Sequence, residues 1–492
     1  MRQSKSHKGF ARITNLEDVA CTQCAGSDPP CGEGTFIAID FIVPVQYSNL
    51  VVAMLEGKYR RPGVSGTDGY RVRMVVLEGG ERLPLLVGWD GVPLFRPMVW
   101  LLTMRRATNA ASATLRGNLL ALKLLYSWAD WRGIDLESRM LAGEYLSSSE
   151  SSSLIDATKR ALAIVAAEEL MIGGAPRRRS DLEVVRLRPK KWRHEVDTAT
   201  ASIRVGTIIA YLGWLTNEGL NCFGGFHGQR REMVEAQIKI RDGMLKGLRA
   251  RAPRTSRRNV LGDREAPPQQ VIDTLLEIVE LNAVRNPWCD LGLQVRNRLL
   301  IHMFYGLGIR KGEALGIKID NIDFYKNELL ITRSADDPID TRRYQPLTKT
   351  RDRRLPMKDK LVAMLHDYVV HVRAKLPKAK RHPFLFVSHR DGAPLALVSA
   401  NKIFNTLRER CDGLPNDLTP HLLRHAWNDS FSRLCEEQQV KQAREEQMRS
   451  ELMGWSPTSG TSAIYTKRFA RQSAEKLSVT HQKNMLGVKN GN

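Results

Sequence analysis

The sequence predicts a mainly α-helical protein with small β-sheets, an α+β chain of several domains, and three observations predict it. Apolar residues recur at three- and four-residue spacing through most of the chain after residue 107, the mark of helices with one buried face. Runs of β-branched and aromatic residues broken by Gly-Gly or Asp-Gly are few and short. The length, 492 residues, suits roughly two to four domains with ample buried core.

Taken in order, residues 36–45 (FIAIDFIVPV) and 70–102 read as short strands and hairpins, the second stretch punctuated by Gly79-Gly80 and Asp90-Gly91. Residues 1–106 thus form an N-terminal segment of short strands. From Thr114 the period changes: Leu115, Leu119, Leu122, Tyr126 and Ala129 define a helix that should end near Gly133. Leu154 to Leu170 is a second candidate. Ala201 to Leu220 is a third, with Ile208, Tyr211, Leu212 and Leu215 on one face and Gly219 as a stop. These helices make a compact domain over residues 107–247 that carries basic runs, PRRRS and RPKKWRH, suited to a phosphate backbone. Residues 248–268 mix Pro, Ser and Arg without periodicity and read as a basic linker. A mixed domain follows over 269–475. Its helical patterns fall at 269–281 and 294–305, its strands at 328–333 and 353–357, and further helices at 359–374, 399–411 and from Thr419 onward. Residues 476–492 form a tail.

Lys and Arg number 75 against 53 Asp and Glu, a formal net charge of +22. That excess attracts polyanions, nucleic acid first among them. No apolar run approaches the roughly 18 residues of a membrane span, and Met1–Phe10 lacks a signal peptide's apolar core, so a cytoplasmic protein of the nucleoid is expected. Seven cysteines are too few for a disulfide scaffold. Cys21, Cys24 and Cys31, with His7, could ligate zinc, but no second C-x-x-C completes the pattern, and incidental thiols in a flexible segment are the simpler reading.

The chemistry concentrates late in the chain. In TPHLLRHAWNDS, Thr419 and Pro420 suit a helix start, where free N–H groups attract anions. His421 and Arg424, three apart, share a face and can converge on one phosphate-sized group, whereas His425 points elsewhere by about 100° per step and reads as structural. An H-x-x-R pair alone decides nothing. Upstream, GLGIRKGEALG places Arg310 after a Gly-rich turn with Glu313 as its buttress. Downstream, ELMGWSPTSGTSAIYTKRF places Trp455 after a glycine and Tyr465 beyond it.

These four motifs, in this order, closely resemble the tyrosine recombinase, or phage integrase, family. The resemblance covers about 266–475 strongly and 70–247 more weakly. It implies a helical core-binding domain and a mixed catalytic domain that close as a C-shaped clamp on duplex DNA, with no metal or nucleotide cofactor. It further implies that Arg310 and Arg424 hold the scissile phosphate, that His421 handles protons and positions it, and that Tyr465 is the nucleophile. Trp455 takes a place usually held by a second histidine. Lys349, in LTKTRDRRLPM, matches the β-hairpin lysine that protonates the leaving 5′-hydroxyl. The implied assembly is a homotetramer on two DNA sites, with accessory DNA-bending or recombination proteins as further partners and a mobile element as the setting. A type IB topoisomerase-like relaxing enzyme and a catalytically idle DNA-binding regulator are the alternatives. Covalent capture of nicked DNA excludes the idle binder, and strand transfer between duplexes excludes the relaxing enzyme. The chain departs from the family in three places: a long polar stretch, SADDPIDTRRYQP; a charged helical extension, CEEQQVKQAREEQMRSE; and a Trp455–Tyr465 interval one residue longer than usual.

Overall fold

A computed structural model describes residues 69–162, 195–222, 229–254, 266–456 and 458–486, with the strand backbone at 2–5, 10–14 and 41–44. The candidate zinc ligands Cys21, Cys24, Cys31 and His7, the runs PRRRS and RPKKWRH, most of the basic linker and the end of the tail lie outside the described residues. The chain divides into two units, residues 1–75 with 83–258, and residues 76–82 with 259–492.

In the first unit, β1 (Arg2–Lys5), β2 (Phe10–Thr14) and β3 (Phe41–Pro44) form an antiparallel sheet in that order. β4 (Arg71–Val76) and β5 (Arg82–Val87) form a separate two-stranded sheet. The strand expectation fails beyond them. Phe95–Trp100 is a helix, α1, continued by wider and then tighter turns to Thr108. Pro97 sits in its first turn, where a missing N–H costs nothing, and Pro97 to Leu102 are all buried, so neither a two- nor a four-residue period is visible in the sequence.

α2 (Ser112–Trp131) buries Leu115, Leu119, Leu122, Tyr126 and Ala129 as its spacing requires, and Gly133 follows it at φ +65°. α3 (Leu136–Ala142) is capped by Asp135, whose carboxylate accepts from Ser138 N. α4 (Ser148–Lys159) begins earlier than its apolar period suggested, because Ser147 and Glu150 form a reciprocal capping box. α5 (Thr198–Cys222) runs straight through Gly219, which does not stop it. A Cβ there would lie 2.6 Å from the carbonyl oxygen of Leu141, so the glycine allows a close approach to the end of α3. α6 (Gln229–Arg251) is the last of the described helices of this unit. At their centre the Tyr126 hydroxyl meets those of Tyr211 and the Glu137 carboxylate, each at 2.5 Å. Burial, then neighbouring charge, drives both phenols well above their usual range.

The second unit opens with α7 (Gln269–Ile278), α8 (Leu291–Leu307) and α9 (Lys311–Gly316). β6 (Ile322–Asp323), β7 (Glu328–Ile331) and β8 (Arg353–Pro356) form an antiparallel sheet, with Ile331 opposite Arg353. Then come α10 (Asp359–Asp367), α11 (Leu397–Arg410), α12 (Pro420–Glu437), α13 (Gln442–Met453) and α14 (Thr461–Leu486). The charged extension is therefore a helix–turn–helix, α12 into α13, rather than one helix. Leu300, Met303 and Phe304 of α8 lie in the same buried cluster as Leu365, Tyr368, Phe386, Phe404 and Leu423.

The polar stretch at 334–346 is tightly held. Arg342 bridges Asp340 at 2.8 Å and donates to the carbonyls of Leu315 and Leu395. Arg82, 1% exposed, donates to the carbonyl of Asp337 at 2.8 Å and to those of Gly80 and Asp340. Gly80, at φ +82°, would drive a Cβ to within 2.6 Å of the Asp336 oxygen. The polarity of this stretch serves buried ion pairs and carbonyl capping, which sequence alone cannot tell from a solvated loop.

Candidate active site

The helix that begins at Thr419 starts as its sequence requires: the Thr419 hydroxyl accepts from Leu422 N at 3.3 Å, and Pro420 fills the first helical position. α12 carries Arg424 inward, 1% exposed, and leaves His421 exposed. One guanidinium nitrogen, Nη1, donates to the carbonyl of Gly308 at 2.5 Å. Nη2 is buried with no hydrogen-bond partner. Gly308 ends α8 at φ +60°, and a Cβ there would strike the Trp427 ring at 2.9 Å, so the glycine serves both the turn and the packing of α12.

Arg310 follows that turn as the cap of α9. Its backbone N donates to Glu313 Oε2 at 3.0 Å and its Nη1 to Oε1 at 3.2 Å. The Glu313 side chain is fully buried, and it also accepts from Thr350 Oγ1 and from Arg353 Nη2, each at 2.8 Å. Burial alone would raise the Glu313 carboxyl. The charge and hydrogen bond of Arg353, the charge of Arg424 and the N–H of Arg310 outweigh that and hold it at about 2. Burial, then the charge of Arg310, brings the Arg424 guanidinium down to about 10. Glu313 thus orients two arginines, Arg310 and Arg353, and neutralises part of the cluster.

α13 ends at Gly454, φ +65°, which returns the chain against β8: a Cβ on Gly454 would lie 2.9 Å from the Arg351 oxygen. Arg351 N donates to the Gly454 carbonyl at 2.9 Å, and its guanidinium donates to that of Trp455 at 2.7 and 3.1 Å. Trp455 is thereby fixed, 5% exposed, with Arg424 Cζ 5.4 Å from its ring centroid. Its indole Nε1 is buried without a partner. Tyr465, on α14, stacks on Trp455 with centroids 5.4 Å apart and planes 14° from parallel.

His425, expected to point away, has its ring 4.4 Å from that of His421 and 5.6 Å from that of Tyr465. A full helical turn separates His421 from His425, so the two rings meet edge to face, 70° apart in plane, along one side of α12. The structure thus brings Arg310, Arg424, Trp455 and Tyr465 around one spot, with His421 at its rim beside His425. Lys349 is exposed and lies outside the strands. β7 and β8 pair as expected, but residues 332–352 between them are irregular, and Lys349 precedes Thr350, the residue that donates to Glu313. Sequence reasoning missed Arg351 and Arg353: both look like hairpin surface charge, yet Arg353 is buried and donates to the Leu452 carbonyl at 2.7 Å.

Chemically, two buried and unpartnered donors, Arg424 Nη2 and Trp455 Nε1, beside a second arginine and a phenol, make a site suited to bind an anion. Among the described residues no group of three or more potential metal ligands is found, and no helix is long and apolar enough to cross a membrane.

Residues 272–471 match a family model described as the phage integrase family. The tyrosine recombinase XerD of Corynebacterium glutamicum is 30% identical over 135 residues, 27% of this chain and 39% of the relative. XerD of Mycobacterium tuberculosis is 27% identical over 164 residues, 33% of this chain and 48% of the relative. The chain therefore spans half or less of these curated relatives. Among solved structures, XerA recombinase is 13% identical with a TM-score of 0.31, covering 77% of this chain and 97% of that one. XerH site-specific recombinase bound to palindromic difH substrate is 15% identical with a TM-score of 0.34, covering 73% and 97%.

Proposed function

We propose, from the match of residues 272–471 to the phage integrase family model, that the protein is a site-specific recombinase that cuts and rejoins duplex DNA through a 3′-phosphotyrosyl intermediate. The observation that carries the reading is the pair of buried, unpartnered donors, Arg424 Nη2 and Trp455 Nε1, beside Tyr465. A scissile phosphate entering there satisfies both. Arg310, held by Glu313, supplies a third set of donors and a second fixed charge, offsetting the charge that builds on the pentacoordinate phosphorus.

The Tyr465 oxygen attacks phosphorus, the bond to the 5′-oxygen breaks, and the phenol proton leaves to a neighbouring base, for which His421 and His425 stand on the α12 edge. Lys349, exposed beside Thr350, gives a proton to the departing 5′-oxygen. The partner strand's 5′-hydroxyl then reverses the step. The phosphoester bond is exchanged rather than lost, so no nucleotide is consumed. The helical core-binding region at 107–247 supplies further DNA contacts, ahead of the linker at 248–268 and the catalytic region at 269–475. The acting species is a homotetramer on two DNA sites, serving a mobile element in a bacterial cytoplasm, with accessory DNA-bending proteins.

The test is denaturing electrophoresis with end-labelled, nicked duplexes tiled across the boundaries of the element that carries the gene. The wild type gives a covalent protein–DNA band. Tyr465→Phe, which keeps the ring and the basic surface, gives none while band shifts stay normal. An adduct formed by the Phe variant sinks the assignment.

A further inference from the structure

Behind the tyrosine lies a charge that none of these roles uses. Arg449, on α13, is fully buried. Its Nη2 donates to Ser432 Oγ at 2.6 Å and to the Glu445 carboxylate, and Ser432 Oγ donates to the same carboxylate at 2.8 Å. Its Nε and Nη1 have no hydrogen-bond partner. The guanidinium carbon stands 5.9 Å from the centroid of the Tyr465 ring and 5.5 Å from that of Phe431. A guanidinium kept only to pair with Glu445 gains nothing from leaving two N–H groups unsatisfied in a dry interior, where each such group is costly. The guanidinium instead lies within cation–π distance of two aromatic rings, whose electron density attracts a cation.

We infer that Arg449 is a positioning residue for Tyr465: anchored by Glu445 and Ser432, its buried guanidinium fixes the phenol ring against Trp455 and stabilises the negative charge the phenol carries as its oxygen reaches phosphorus. The inference rests on the reading of Tyr465 as nucleophile. It is independent of the phosphate-holding arginines, because Arg449 reaches the ring from α13, whereas Arg310 and Arg424 come from α9 and α12. The charged and titratable groups around it are Glu445 on its own helix and Asp429 and Cys435 on α12, with Tyr465 on α14. Burial lowers the Arg449 guanidinium from its ordinary value, and those four groups oppose the shift. A guanidinium is charged at neutral pH by its own basicity, and here it stands where water does not screen it.

The experiment uses the full chain and the tiled nicked duplexes. Arg449→Gln removes the charge and leaves an amide donor on a shorter side chain. The double variant Glu445→Gln with Arg449→Gln removes the whole pair, so no buried carboxylate is left alone, and Arg449→Lys keeps the charge. The Gln variants are expected to bind DNA as the wild type does and to form the adduct about tenfold more slowly at saturating protein. Arg449→Lys should recover most of that rate. Fluorotyrosine at position 465, whose phenol ionises more readily, should speed the Gln variant more than the wild type, an effect that a packing defect would not produce. A double variant that cleaves at the wild-type rate overturns the inference. So does a slow variant that neither lysine nor fluorotyrosine restores, or a double variant that fails to fold with no charge left unpaired. Tyr465→Phe, run alongside, separates the two readings. If it still forms adduct, the nucleophile assignment falls. If it is dead while the double variant is fast, only the role of Arg449 falls.

Discussion

Replacing Glu313 with Gln keeps the size and hydrogen-bonding shape of the side chain but removes the charge that Arg353 and Arg310 share. The carboxyl is held at about 2 against an ordinary 4.5, and its side chain is fully buried, so little solvent screening discounts the effect. That difference corresponds to about 3 kcal/mol of stability at neutral pH. Breaking a buried ion pair from one side costs about 3–5 kcal/mol, in the same range. Because the folded-state value lies below the unfolded one, this contribution is fully present above about pH 5 and fades as the pH falls through 4.5 towards 2. Urea unfolding of wild type and Glu313→Gln, followed by tryptophan fluorescence from pH 7 down to pH 3, measures it. The gap between them should be about 3 kcal/mol at pH 7 and shrink steadily below pH 4.5. A gap under 1 kcal/mol at pH 7, or one that stays constant into acid, would refute the reasoning.

Lys349→Ala should cut ordinary DNA far more slowly yet cut DNA with a sulfur leaving group at the 5′ bridge at nearly the wild-type rate, since that group leaves without a proton; equal defects on both substrates in single-turnover assays would remove Lys349 from the role. Trp455→His should keep substantial cleavage and Trp455→Phe should lose more, by roughly 10²-fold if the indole N–H donates to the phosphate; the reverse order would mean that stacking on Tyr465 is what matters. Gly219→Ala should destabilise the chain by about 1–3 kcal/mol in thermal melts although alanine is the better helix former, because its Cβ would meet the Leu141 oxygen at 2.6 Å. A raised melting temperature would contradict that.

The parts of the site that depend on local chain geometry were legible in the sequence. Thr419-Pro420 announced a helix start and the Gly-rich stretch before Arg310 announced a turn, and Arg424 and Arg310 lie where those put them. What tertiary packing decides was not legible. Pro97–Leu102 looks like a strand because burial on every side erases the period. Gly219 looks like a stop because the close approach of Leu141 is invisible in one dimension. His425 was set aside on its angular offset from His421 and Arg424, yet a neighbouring helix brings Tyr465 to it. Charge counting had the same blindness. Arg82, Arg296, Arg342, Arg353, Arg373, Arg424 and Arg449 are buried, and most of them cap carbonyls or pair with carboxylates. The net charge of +22 therefore describes partly the exposed surface and partly an internal scaffold.

The buried Arg82 gives the second unit a history as well as a shape. It donates to the carbonyl of Asp337 across 255 positions of sequence. At translation rates of about 5–20 residues per second, the donor leaves the ribosome roughly 10–50 s before its acceptor. Residues 76–82 must therefore wait, already turned at Gly80, for the loop at 334–346 to arrive. A fragment cut at the basic linker, the obvious place to excise a catalytic domain, would never meet that donor. Its loop would keep the carbonyls of Asp337 and Asp340 and lose the guanidinium that closes over them. The recombinase-like half of this chain is thus completed by seven residues made long before it.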